Sequence, residues 1–447
     1  NTQNQLNNFQ IENLKLPNSQ LESELNKNFF QASGQIFGRQ IQTEFKIPFA
    51  AHETYSIKAK INDFQPLLLL PVMGLPSPKY DVKSNLSGHI DIQTTNNTFQ
   101  NLHGKATIDQ FSLERGLQTL KLTTTSEMIF KNELASMTPM NFAGPDQNLS
   151  IKLKKQNGEQ KVYINGRLFL KPIQFLMPFT ESVSGIIEFV TYLQFKNGRP
   201  DFSGEGLIND ASFSSSGFPY PIANTSAFFN LRDSKVELTE ITGTINQARF
   251  YGEGTADIKG PQNIVVNVGL ETEEMELEFP SQIFTTGIAK VTFSGNWLPY
   301  TLKIEYDVLQ GLITKEFTGG NDDSASVLAP NSLLPLSQLE GNSQSLYLDV
   351  HTKFGKGIVV KNSMLEGALT GFLNITGSPS LPVYTGVINV QTGSKINFKD
   401  KQFEIQNGVV RFNGIKEMNP DVSVTANARV TDYDVNLTVN GPAKKLD

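Results

Sequence analysis

The sequence predicts an all-β chain, built as an elongated, curled antiparallel sheet with an apolar interior. Apolar and polar residues alternate with a period of two in run after run, as strands with one greasy and one wet face require. Gly, Pro and Asn punctuate the runs. No segment of a dozen residues keeps the 3.6-residue period of an amphipathic helix.

From the N-terminus, Tyr55, Ile57, Ala59 and Ile61 oppose Ser56, Lys58 and Lys60. A Pro-bounded apolar cluster follows, Pro66 to Val72 with Leu67 to Leu70, which reads as a buried helical turn or capping segment. A second such cluster runs from Pro172 through Ile173, Phe175, Leu176 and Met177 to Pro178. Each precedes a Ser-Gly pair, Ser87-Gly88 and Ser184-Gly185, that reads as opening the next strand. Leu149, Ile151 and Leu153 oppose Ser150, Lys152 and Lys154. Glycines recur as apparent strand openers at Gly204, Gly252, Gly254 and Gly386, a loose repeat of strand units added to one sheet. Ile264, Val266, Val268 and Leu270 follow the turn at Gly260-Pro261. The cleanest alternation is Leu302, Ile304, Tyr306 and Val308 against Thr301, Lys303, Glu305 and Asp307. These units fill residues 1–317. Residues 318–344, rich in Gly, Ser, Asn, Asp and Pro, read as a mobile insertion loop, and Asp322-Asp323 as part of that solvated loop.

Residues 345–447 form the C-terminal module. Val422, Val424, Ala426, Ala428 and Val430 share one face, and after a break Tyr433, Val435, Leu437 and Val439 repeat the pattern. Thr392-Gly393, Asn407-Gly408, Asn413-Gly414 and Asn419-Pro420 read as the connections.

Composition limits the chemistry. A 38% hydrophobic content suffices for a core, and at 18% charged residues the polar faces are filled by Asn, Gln, Ser and Thr. The net charge of −6, from 38 basic and 44 acidic residues, carries no nucleic-acid footprint. With no cysteine, disulfides, zinc thiolates and thiol catalysis are excluded. No apolar run reaches the roughly 20 residues that span a bilayer as a helix. His52, His89, His103 and His351 are scattered and read as solvent-facing or hydrogen-bonded strand residues. Glu274, Glu276 and Glu278 alternate with Met275 and Leu277 as the wet face of one strand beside Glu271 and Glu273. Trp297 reads as capping a sheet edge, and Asn374-Ile375-Thr376 as a chance glycosylation triplet. Nothing points to an enzyme, a metal or a cofactor.

A further signal lies in the order of short motifs near the C-terminus. A strand opens at Gly386, then come Ile396-Asn397-Phe398, Phe403-Glu404-Ile405 and Gly408-Val409-Val410-Arg411-Phe412. Asn419-Pro420 and the alternating pair ending at Gly441 follow. That order resembles the C-terminal domain of the TamB family, bacterial envelope proteins related to the AsmA-like group. The middle segment, Asn197-Gly198 to Ile258 with Phe218-Pro219-Tyr220-Pro221-Ile222, resembles AsmA/TamB-type repeats. Family members continue past the last glycine, so the ends at Asn1 and Asp447 read as those of a fragment.

The resemblance implies a U-shaped β-groove in the periplasm of a diderm bacterium, anchored in the inner membrane in the full-length protein. Its implied work is phospholipid transport between inner and outer membranes. The implied partners are phospholipids, an Omp85-type barrel (TamA-like) reached through a C-terminal tail absent here, and the inner membrane, reached through an absent N-terminal anchor. The residues support such a groove independently. An unbroken series of similar strands must hide its apolar face, and curling into a trough does so while leaving room for acyl chains. The expected lining is Leu302, Ile304, Tyr306, Val308, Leu346, Leu348, Val350, Val422, Val424, Tyr433, Val435, Leu437 and Val439. Two other classes fit the pattern: an assembly factor for outer-membrane β-barrel or autotransporter proteins, templating strands along its edges, and a β-solenoid adhesin.

Overall fold

The computed structural model describes residues 2–6, 10–11, 14–15, 18–50, 53–70, 82–95, 101–132, 134–156, 159–171, 181–196, 199–215, 218–260, 263–278, 281–296, 299–316, 346–378, 381–398, 401–414, 419–430 and 433–443. Among them there is no α-helix. The chain is all-β, and two short 3-10 turns, Phe37–Arg39 and Pro66–Leu69, are its helical elements. It divides into two compact units. The first comprises Asn1–Pro178, Val183–Asn209 and Phe229–Lys235. The second comprises Phe179–Ser182, Asp210–Phe228 and Val236–Asp447.

In the first unit, strands pair antiparallel in chain order. Ser19–Leu25, Phe29–Ile36, Ile41–Pro48, Tyr55–Phe64, Lys83–Thr94 and Leu102–Arg115 form one such run. Gln147–Gln156, Glu159–Phe169 and Ser182–Lys196 form another. Short range dominates because each alternating run needs only a tight connection to meet the next. The pairing of Tyr55–Phe64 with its neighbour is interrupted near Asp63, whose φ is 49°. Its backbone N–H donates to Ser87 Oγ at 3.0 Å and its carboxylate accepts from Asn85 Nδ2 at 3.1 Å, which pins the bulge from the next strand.

In the second unit the run is Ala248–Gly260, Asn263–Thr272, Ile283–Asn296 and Tyr300–Ile313, then Leu346–Lys361, Leu365–Ser378, Leu381–Val390, Lys401–Asn413, Asp421–Val430 and Tyr433–Pro442. One pair departs from the antiparallel expectation. Tyr300–Ile313 and Leu346–Lys361 lie parallel, Tyr300 opposite Leu346 and Ile313 opposite Val360. A parallel pair needs a connection of roughly a dozen residues or more, and the chain between Ile313 and Leu346 supplies it. The insertion expected at 318–344 lies outside the described residues, as do His52, Trp297, Asp322-Asp323 and the cluster Pro172 to Pro178.

Four further local readings need correction. Asn407-Gly408 is not a turn: both residues lie inside the continuous strand Lys401–Asn413, where a register shift between Ile405 and Asn407 accommodates them. The Pro66 turn is helical, but none of its described residues is fully buried, since one 3-10 turn covers the sheet on a single side. Ser87-Gly88 and Ser184-Gly185 lie inside strands, and Ser87-Gly88 coincides with a register shift. The repeated glycines also sit inside strands rather than opening them. Gly386 has φ 151°, and a Cβ there would stand 2.3 Å from the Phe372 carbonyl oxygen on the neighbouring strand; Gly204 (φ 158°) makes the same close approach to Val190. They mark where backbones pass too near for a side chain.

Candidate apolar face

The second unit's register sorts side chains into rows. One row crosses Gly252, Leu270, Val291, Ile304, Val350, Ile375 and Tyr384, each opposite the next. The adjacent row on the same face runs Gly254, Val268, Phe293, Leu302, Leu348, Gly377 and Pro382. Beside the first row, on the reverse face, lie Tyr251, Glu271, Lys290, Glu305, His351, Asn374, Thr385 and Asn413, and between the two rows, on the same reverse face, lie Thr292, Lys303, Asp349 and Thr376. The sheet therefore has a greasy side and a wet side over this breadth. Charges on the wet side pair locally, Lys290 with Glu271 at 3.4 Å and Lys303 with Glu305 at 2.6 Å, and His351 Nε2 lies 2.8 Å from the Asp349 carboxylate. The Lys303 ammonium is held above its ordinary pKa and the Glu305 carboxyl below its own, each by its hydrogen bond to the other.

The expected lining residues fall into three environments. Leu302, Ile304 and Val350 are half-buried in the apolar rows with the more deeply buried Leu348, and Leu346, also half-buried, lies opposite Tyr300 further along the same face. Val308 and Val424 belong instead to a dry cluster with Ile358, Val360, Leu369, Val390, Phe403, Ile405 and Ala426, against which Tyr306, Val422, Leu437 and Val439 pack. Tyr433 and Val435 are exposed, at 77% and 38%, on the last described strand. Bulges explain the division. Register shifts at Val308/Gln310 and at Phe354/Ile358 bring Ile358 and Val360 onto the face that Val308 occupies.

Several residues of this face were missed. Val291, Phe293 and Ile375 lie in its rows and Leu373 beside them on the same face, opposite Thr352, and the alternation Leu373-Asn374-Ile375-Thr376 carried the signal behind the glycosylation triplet. Tyr384 closes one row. It is 5% exposed and its hydroxyl has no hydrogen-bond partner; burial pushes its pKa up. Tyr306 is likewise raised by burial, partly offset by the hydrogen bond its hydroxyl shares with Thr285 at 3.0 Å.

His89, His103 and His351 are exposed strand residues with polar neighbours, Asp109, the Asn101 carbonyl, and Asp349 with Asn374, as the sequence suggests. Glu276 and Glu278 point to solvent around the buried Met275. Among the described residues no group of three or more metal-ligating side chains stands together, and no helix is long and apolar enough to cross a membrane.

Residues 239–447 match the family model described as the TamB C-terminal domain. That family consists of envelope proteins with a part in envelope protein or lipid transport. No curated protein matches the chain.

Proposed function

From the premise that residues 239–447 are a TamB C-terminal domain, we propose that this chain is a segment of a periplasmic, bridge-like lipid transfer protein. The apolar face of its second unit is the floor of a hydrophobic groove that carries phospholipid between inner and outer membranes. One observation carries the reading: large apolar side chains line successive strands in register, most of them half-buried beside the buried Leu348 and Tyr384, while the reverse face carries ion pairs. Acyl chains suit such a surface without a specific pocket, because each buried methylene contributes about 0.8 kcal/mol regardless of its neighbours. In the full-length protein the inner membrane would anchor one end and an Omp85-type barrel would receive the other.

The second reading, a strand-templating assembly factor, draws on Tyr433–Pro442. Among the described residues this strand pairs on one side only, with Asp421–Val430, and leaves Tyr433 and Val435 exposed.

Val350→Arg and His351→Arg separate the two readings. They are chain neighbours on opposite faces. Phospholipid transfer between donor and acceptor vesicles should fall at least tenfold with arginine at 350 and stay unchanged with arginine at 351. A charge among acyl chains is costly unless it snorkels to water. If both variants transfer lipid normally while assembly of barrel proteins in cells fails, the assembly reading replaces the transfer reading.

A further inference from the structure

On the polar face of the first unit, the strands Gln147–Gln156, Glu159–Phe169 and Ser182–Lys196 bring unlike side chains into one patch. Lys152, Tyr163 and Tyr192 stand opposite one another in a row, and Lys154 faces Lys161 in the next. The ammonium of Lys154 lies 5.3 Å from the centre of the Tyr163 ring, and that of Lys161 lies 4.9 Å from the centre of Tyr192. The two rings are 6.1 Å apart. Two rows away on the same face is Val190, 59% exposed.

Two features set this patch apart. Lysines directly opposite each other across a strand pair repel, and among the described residues no carboxylate forms an ion pair with Lys152, Lys154 or Lys161. Elsewhere on the first unit Lys105 and Lys121 each hold an acidic partner. In a chain of net charge −6, this is a local inversion of sign. The second feature is composition. Tyrosine rings and lysine stems are amphipathic and lie together at the boundary of a lipid layer, rings at headgroup depth and ammonium groups toward phosphate. Val190 on the same surface would be rewarded by an apolar medium and by no soluble polyanion.

We infer that this face is a membrane-contact patch, which rests the first unit against the surface of a bilayer rich in anionic phospholipid. The partner is recognised by phosphate charge at the lysines and by the interfacial layer at Tyr163, Tyr192 and Val190. The inference is independent of lipid passage along the second unit, since no residue is shared.

The test is flotation of the chain with vesicles of phosphatidylglycerol and phosphatidylcholine, and with phosphatidylcholine alone. The unaltered chain should bind the anionic vesicles, lose binding as salt is raised, and ignore the neutral ones. Lys152→Gln, Lys154→Gln and Lys161→Gln together should weaken binding on the order of a hundredfold, since each lysine near an anionic surface is worth about fivefold. The triple variant should keep its melting temperature, because the exchange relieves like-charge repulsion. The control exchanges Lys105, Lys121 and Lys290 for Gln, an equal change in charge at paired sites, and should bind as the unaltered chain does. Equal losses in the two triple variants would overturn the inference by reducing it to net charge. Binding of inorganic polyphosphate without binding of vesicles would also overturn it, in favour of a soluble polyanion. Transfer of lipid between vesicles, measured on the same triple variant, reports separately on the groove.

Discussion

At Tyr384 the apolar row ends in a buried hydroxyl with neither donor nor acceptor to meet it. Such a group costs about 1–3 kcal/mol when nothing replaces its water. Tyr384→Phe keeps the shape and removes the orphan, so the melting temperature at pH 7 should hold or rise by a few degrees. The variant should also differ at alkaline pH. Burial raises the phenol's pKa in the folded state, so the unfolded chain loses its proton first. Stability from this source is fully present below the ordinary tyrosine pKa of about 10 and is lost as pH climbs from there through the folded value. Melting curves between pH 9 and 11 should show a steeper fall for the unaltered chain than for the phenylalanine variant; equal slopes would show that the ring is solvated. Residue by residue, the sequence told which side chains share a face: Leu302 with Ile304, and Val422 with Val424, both hold. It could not tell what lies opposite that face. Val308 and Val424 alternate as cleanly as Ile304 does, yet both belong to a dry cluster; register shifts lie close to each, at Val308/Gln310 and Phe354/Ile358 beside Val308 and at Ile405/Asn407 beside Val424.

Strands were legible because period two is a local property, and the alternating runs singled out in the described residues form strands, except that Glu274 sits in the bend before Met275–Glu278. Connections were less so. Asn407-Gly408 has the residues of a tight turn, but Gly408 lies opposite both Val390 and Val424 and continues the sheet. Pair direction was hidden altogether, because alternation is the same read either way along a chain. The parallel pair of Tyr300–Ile313 with Leu346–Lys361 changes what the intervening segment must do. The chain leaves Ile313 beside Gln282, and Glu316 then hydrogen-bonds Ser363, so it must return the whole length of the strand to reach Leu346. At about 3.3 Å per residue that distance is about 43 Å, which a fully extended chain of roughly 13 residues just covers. Deleting residues 319–330 leaves roughly 17 residues after Glu316, enough by this measure, and the melting temperature should be unchanged. Deleting residues 317–339 leaves roughly six, too few to make the return, and the parallel pairing should break with a drop of many degrees. Equal tolerance of both deletions would mean that the strands do not pair in parallel.

For the chain as a whole, the all-β class was written in the alternation, as were the apolar and polar faces of the second unit. The resemblance that the family model reports over residues 239–447 was carried by the ordered motifs between Gly386 and Gly441. Which strands meet, and so which apolar residues line up into rows, came only with the register. Phe293 and Tyr384 stand far from each other in sequence and lie on one face by way of the strands between them. The proposed lipid path rests on that alignment, and a photo-crosslinking amino acid placed at Ile304 or at Glu305 tests it most directly. The two positions are adjacent in the chain and face opposite sides of the sheet. After irradiation in cells and mass spectrometry of the purified protein, position 304 should carry phospholipid adducts and position 305 should carry none. Adducts at neither position, or equally at both, would contradict the account.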